Sequence, residues 1–109
     1  MKPDRLELLP LLVYVQAHLD EDLGLTALAR RAGLSPAHFQ RVFTAAIGES
    51  PRAYVARLRL EQAAFYLHIH DDTLLSVALA CGFHNHETFT RAFRRRFRVT
   101  PRVYRARAR

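Results

Sequence analysis

Ala29-Arg30-Arg31-Ala32-Gly33-Leu34 recurs as Ala78-Leu79-Ala80-Cys81-Gly82-Phe83, at an offset of 49 residues. Beyond that turn, Phe39, Arg41, Phe43, Pro51 and Tyr54 recur as Phe89, Arg91, Phe93, Pro101 and Tyr104, now at an offset of 50 residues. The copies therefore differ by one residue in the turn, where insertions disturb a fold least. Each copy reads as a short helix, a glycine turn and a second helix, the order of a helix-turn-helix. A unit repeated in this way, with one candidate reading helix per copy, suits a ligand that offers two equivalent places. Duplex DNA offers such places once per helical turn.

Working outward, the helix signals are local and frequent. Leu8, Leu11, Leu12, Val15 and Leu19 recur at helical spacing and predict a first helix over about Leu9 to His18. Asp4-Arg5-Leu6-Glu7 has the form of a capping box, which would place Pro10 inside the helix, whereas Pro10 itself prefers a first turn; a start near Leu9 is favoured. A second helix is predicted from Leu25 to Ala32, with Leu25, Leu28, Ala29 and Ala32 inward and Gly33 ending it. Ser35-Pro36 opens a third that runs to about Ala46, before Gly48. Ser50-Pro51 opens a long connecting helix to about His68, Thr73 caps a fifth over Leu74 to Cys81, and Asn85 caps a sixth over His86 to about Phe97. Thr100-Pro101 starts a short seventh that ends in the Arg-Ala-Arg-Ala-Arg tail. No stretch alternates with period two, so the expected class is all-α: seven helices in one domain, 1–109. Within it, residues 8–48 form a first helix-turn-helix subdomain, 50–70 the connecting helix and 73–105 the second subdomain.

Bulk properties narrow the partner. Half of the 109 residues are apolar, enough for a core, and 17 basic against 10 acidic side chains give a formal charge of +7. All the basic residues but Lys2 are Arg, the side chain suited to paired contacts with phosphate or guanine. Nine Arg and one acid lie between Asn85 and Arg109, whereas the first 29 residues hold five acids and two bases, so the C-terminal quarter should be the most electropositive. The single Cys81 excludes an intramolecular disulfide, and no signal-like or membrane-length apolar run occurs, which predicts a cytoplasmic, nucleoid-associated protein with no membrane partner.

At about 100° per residue, Phe39, Val42 and Phe43 cluster on one side of the third helix and form its core stripe. The opposite side presents Ala37, His38, Arg41 and Ala45, flanked by Gln40 and Thr44. On the sixth helix, Phe89, Ala92 and Phe93 face inward, Phe97 lies near the edge, and Glu87, Thr88, Arg91, Arg94 and Arg95 face out, flanked by Thr90. Each free face carries an Arg at the equivalent place, Arg41 and Arg91. Such an Arg can grip guanine O6 and N7 with two parallel hydrogen bonds, worth about 1–3 kcal/mol of discrimination. Gln40 can do the same for adenine, and Thr88 can touch a thymine methyl or donate to a base. Glu87 would accept from cytosine N4 or restrain a neighbouring Arg. Arg94 and Arg95 can reach the phosphate backbone, while Arg96 lies near the core border and packs its stem. The connecting helix, about 30 Å long, is close to the roughly 34 Å between successive major-groove faces. Tandem, non-identical copies predict an asymmetric site and a bent duplex.

Other chemistries are weaker. His68-Ile69-His70-Asp71 and His84-Asn85-His86-Glu87 concentrate four of the six His with carboxylates, which makes a His-rich metal-binding or metal-responsive helical module the main alternative. Each pair straddles a helix terminus, however, where imidazole is commonly solvated. No Ser-His-Asp arrangement or Gly-rich phosphate loop is present, and Cys81 sits on a buried face, so neither an enzyme nor a cofactor is expected. RNA binding lacks an exposed stacking platform, because all seven Phe fall on predicted core positions or turns.

Taken together, Leu34-Ser35-Pro36-Ala37-His38-Phe39-Gln40-Arg41-Val42-Phe43, Gly48-Glu49-Ser50-Pro51, Tyr54-Val55, Arg59-Leu60, Ala78, Gly82-Phe83, Phe89-Thr90-Arg91-Ala92-Phe93 and Thr100-Pro101-Arg102-Val103-Tyr104-Arg105 resemble the DNA-binding domain of the AraC/XylS family of bacterial transcription regulators. The resemblance covers about Leu11 to Arg105. It implies a seven-helix fold that inserts both reading helices, about 36–46 and 86–97, into adjacent major grooves of double-stranded DNA and contacts RNA polymerase, activating transcription. By position it places base contacts on Ala37, Gln40 and Arg41 and on Glu87, Thr88 and Arg91. The residues set against the backbone are His38, Thr44, Arg52, Thr90, Arg94 and Arg95. Two departures stand out. Where many members have Gly before Thr-Pro, this chain has Arg98, so that turn is either not left-handed or strained. Ala37 stands where some relatives have a larger contacting residue, which shifts reading toward the second motif. The motif-first order looks like the MarA/SoxS/Rob-like subgroup, standing alone or followed by a GyrI-like effector domain, so an effector domain or small-molecule effector outside this chain is a further expected partner.

Overall fold

Side-chain caps start most of the helices where the sequence places them. The computed structural model describes residues 7–108, in the order α1 (Leu9–Ala17), α2 (Leu25–Ala32), α3 (Pro36–Ile47), α4 (Pro51–Ile69), α5 (Leu74–Ala80), α6 (His86–Phe97) and α7 (Pro101–Ala108). Ser35 Oγ accepts from the His38 amide at 3.3 Å, Ser50 Oγ from Ala53 at 3.1 Å, Thr73 Oγ1 from Ser76 at 3.0 Å, Asn85 Oδ1 from Thr88 at 2.8 Å and Thr100 Oγ1 from Val103 at 3.2 Å. Each satisfies an amide that a helix start otherwise leaves unpaired. The start of α1 at Leu9 puts Pro10 in the first turn, with Leu8 as a cap that lends no side chain. Asp4, the other candidate start, lies outside the described residues.

The repeat in sequence is also a repeat in geometry. Gly33 (φ +73°) and Gly82 (φ +92°) both take the left-handed conformation that a side chain resists. In each copy the residue after the glycine donates back to the start of the turn, Leu34 to the Ala29 carbonyl at 3.0 Å and Phe83 to the Ala78 carbonyl at 2.9 Å. His84 is the extra residue between the second glycine turn and its cap. Further on, Phe39 lies 5.5 Å from Phe43, which meets Tyr54 edge-on at 5.5 Å; Phe89 lies 5.7 Å from Phe93, which meets Tyr104 edge-on at 5.3 Å. Each unit thus pins its second helix to the following one with the same aromatic trio, a geometry favoured by the ring quadrupoles.

Two compact units result, one through Arg57 and one from Leu58 onward, with the division inside α4. In the first, α1 packs on α2 and α2 on α3, over a core that includes Leu11, Val15, Leu28, Ala29, Phe39, Val42, Phe43 and Val55. In the second, α5 packs on α6 and α6 on α7, over Leu60, Ala63, Ala64, Leu67, Val77, Ala78, Cys81, Phe89 and Phe93, with Phe97 and Tyr104 partly buried against them.

Three expectations are corrected. Leu25, expected inward, is 36% exposed as the first residue of α2, while Leu28 and Ala29 a turn later are buried. Phe65, expected in the core, is 58% exposed on α4, because burial in that part of the helix goes to Leu60, Ala63, Ala64 and Leu67 instead. Cys81 is the C-terminal cap of α5 and not its last helical residue, its amide bonding back to the Val77 and Ala78 carbonyls while the Gly82 amide donates to Leu79.

Candidate nucleic-acid interface

On α3, the apolar residues Phe39, Val42 and Phe43 face the core and thereby turn the other side outward. Ala37, His38, Gln40, Arg41 and Thr44 are all exposed, as is Arg52 in the first turn of α4. Ser35 and Pro36 fix the entry of this helix, so the residues nearest its N-terminus stand on a rigid first turn. Not every cation of this unit is free. The Arg31 guanidinium lies 3.3 Å over the Tyr14 ring, against which His18 stacks at 4.0 Å, and Tyr14 Oη donates to Glu21 Oε1 at 2.8 Å. Arg57 Nη2 and Nε both donate to Glu49 Oε1, at 2.6 and 3.1 Å. These contacts tie α1 to α2 and the turn after α3 to α4, and leave Arg41 and Arg52 as exposed cations beside the free face of α3.

On α6, Phe89 and Phe93 are buried, and Glu87, Thr88, Arg91, Arg94 and Arg95 are exposed, with Thr90 half-buried between the two sides. The cap made by Asn85 holds Glu87 and Thr88 in the first turn. Arg91, Arg94, Arg95 and Arg98 line a shallow recess together with Glu87, Thr90 and His86. His86 and Arg98 were not expected there; the signal is that Arg91, Arg95 and Arg98 continue one stripe at intervals of four and three residues. His86 Nδ1 stands 3.5 Å from Thr90 Oγ1. Arg96, by contrast, turns toward α4: its Nη2 is 3.9 Å from Glu61 Oε2 and its guanidinium 5.4 Å from the centre of the Phe97 ring. Four guanidinium groups against one carboxylate give this recess a strong preference for anions. Among the described residues, Glu87 forms no ion pair with Arg91, so its carboxylate is available to a donor.

Other chemistries find little purchase. Among the described residues no group of three or more His, Cys, Asp and Glu side chains stands close enough to hold a metal ion, so the His68/His70 and His84/His86 pairs do not converge with further ligands. Burial pushes the Cys81 thiol from 9.0 up to about 12, with the Arg59 charge opposing, which leaves it a poor nucleophile. No described helix is long and apolar enough to cross a membrane.

Known proteins place this arrangement. A helix-turn-helix domain family matches residues 28–107. The chain is 39% identical over 95 residues to the Right origin-binding protein of Escherichia coli, a match spanning 87% of this chain and 33% of that protein, so it corresponds to about a third of that relative's length. It is 31% identical over 97 residues to the Regulatory protein SoxS of Escherichia coli, covering 89% of this chain and 91% of SoxS. Among solved structures, the DNA-binding domain of the global transcriptional factor AdpA, in complex with a target DNA, superposes with a TM-score of 0.88 at 31% identity, covering 95% of this chain and 92% of that one. Duplicated capped motifs, matched aromatic trios and near-complete coverage of SoxS by this chain agree: it belongs to the AraC/XylS family and carries the family's two-motif helix-turn-helix DNA-binding domain.

Proposed function

We propose that the chain acts as a sequence-specific DNA-binding transcription regulator that inserts α3 and α6 into adjacent major grooves of one duplex. The observation that carries this reading is the matched pair Arg41 and Arg91, each exposed on the side of its helix opposite a buried Phe pair, at corresponding places in two copies of one motif. Ala37, Gln40 and Arg41 read bases in one groove, and Glu87, Thr88 and Arg91 in the other. His38, Thr44, Arg52, Thr90, Arg94 and Arg95 hold phosphates. The relation to AdpA, whose domain is solved on a target DNA, supports the mode of binding. The family relation supports RNA polymerase as partner, activation as outcome and an effector domain or small-molecule effector outside this chain, which complete the proposal.

Selection of bound duplexes from a random pool tests it. The wild-type chain should enrich an asymmetric site about two turns long, and Arg41→Ala and Arg91→Ala should each relax preference in a different half, by about 1–3 kcal/mol or roughly 5- to 150-fold at the affected base pair. Equal loss of affinity for all sequences would show that these side chains touch only phosphate and would refute the assigned roles.

A further inference from the structure

Arg98 is the one described residue other than glycine with a positive φ, +68°. The corresponding position in the first motif is Gly48, φ +92°. Both residues close the reading helix in the same way, Gly48 donating to the Thr44 carbonyl at 2.9 Å and Arg98 to the Arg94 carbonyl at 2.8 Å. The chain therefore contains its own control: the turn needs a left-handed residue, glycine supplies one without strain, and one of the two copies carries arginine instead. Nothing within the fold accounts for that choice. The Arg98 side chain is exposed, and among the described residues no hydrogen bond or ion pair holds its guanidinium. The negative end of the helix dipole is already met by Arg94, Arg95 and Arg96 in the last turn of α6. Strained positions persist where a site uses them.

The surroundings say what the site takes. Arg98 lines the same recess as Arg91, Arg94 and Arg95, where guanidinium groups outnumber the single carboxylate of Glu87. The 12 residues of α6 extend about 18 Å, longer than the roughly 12 Å width of the major groove. With the first turn of α6 at the base edges, the end that bears Arg98 stands against the phosphate wall of the groove. We infer that Arg98 is a phosphate-binding residue which, with Arg94 and Arg95, clamps the DNA backbone at the C-terminal end of α6, and that the left-handed turn sacrifices folding stability for this contact. The inference rests on the reading of α6 as a recognition helix.

Arg98→Gly and Arg98→Lys, compared with wild type, test it on two probes: the 40-base-pair duplex recovered by selection and a scrambled duplex of the same composition. Arg98→Gly should melt at a higher temperature yet bind both duplexes more weakly by the same factor. The log–log salt slope should fall by about 0.9, equivalent to roughly eightfold at 0.1 M salt when extrapolated from 1 M. Arg98→Lys should keep the slope, since the charge remains. Unchanged affinity and slope in Arg98→Gly would overturn the inference, as would a loss confined to the selected duplex, which would assign Arg98 to a base. The scrambled duplex reports the phosphate contact by itself, so the result stands even if wild type enriches no sequence, an outcome that would instead refute the recognition-helix reading.

Discussion

Replacing Asn85 with Ala removes the cap on which the first turn of α6 depends. Asn85 sits in extended backbone (φ −154°, ψ 167°), and its Oδ1 accepts the Thr88 amide at 2.8 Å, the shortest of the five side-chain caps described above. Loss of an N-cap to Ala costs about 1 kcal/mol, within a range of roughly 0.5–2. The resulting melting shift depends on how much of the chain unfolds together. At about 2.1 cal/mol/K per residue, 1 kcal/mol lowers the midpoint by about 4 °C if the 109 residues melt as one, and by about 9 °C if the unit from Leu58 onward melts alone. Ser35→Ala, which removes the longer 3.3 Å cap of α3, should cost less. Asn85→Gly should cost only a few tenths of a kcal/mol, because glycine leaves the cap backbone free for water. Differential scanning calorimetry with circular dichroism at 222 nm measures the shift. DNA binding should weaken in parallel, since Glu87 and Thr88 ride on the turn that frays. A midpoint for Asn85→Ala within about 1 °C of wild type, or equal destabilisation by Asn85→Gly, would refute the claim that this hydrogen bond sets the start of the reading helix.

Two further outcomes are expected. Phe89→Ala should destabilise by about 3–5 kcal/mol, whereas Phe65→Ala should lie within about 0.5 kcal/mol of wild type; denaturant titration of both tests the corrected placement of Phe65 on the surface. The Cys81 thiol, raised from 9.0 to about 12 by burial, favours the folded state through its protonated form, so its contribution is intact below about pH 9 and is lost as pH rises toward 12. Wild type should therefore lose stability more steeply than Cys81→Ala between about pH 9 and 11, and thiol labelling at neutral pH should require unfolding; rapid labelling of the native chain would contradict the burial.

Features under local chemical control can be read directly from the chain. Ser35-Pro36, Ser50-Pro51, Asn85 and Thr100-Pro101 each satisfy amides within three residues, so the starts of α3, α4, α6 and α7 could be read from the chain. Gly33 and Gly82 end helices for the same local reason, and the spacing of Phe39 with Phe43 and of Phe89 with Phe93 fixed which sides of α3 and α6 are free. The exposure of Arg41 and Arg91 follows directly from that spacing.

The burial pattern of α4 depends on packing between elements and could not be read from the chain. That helix carries two apolar stripes in sequence, Pro51, Val55 and Leu58 continuing to Phe65 and Ile69, and separately Leu60, Ala63, Ala64 and Leu67. The first is buried only through Leu58, after which burial passes to the second and Phe65 and Ile69 emerge at 58% and 48% exposure. A helical period identifies a stripe but not the length over which a neighbour covers it, because burial is a property of packing between elements distant in sequence. The conformation of Arg98 is of the same kind. Its local preference opposes a positive φ, yet the turn out of α6 takes one, as Gly48 does at the matching place after α3, and the Arg98 amide closes on the Arg94 carbonyl at 2.8 Å.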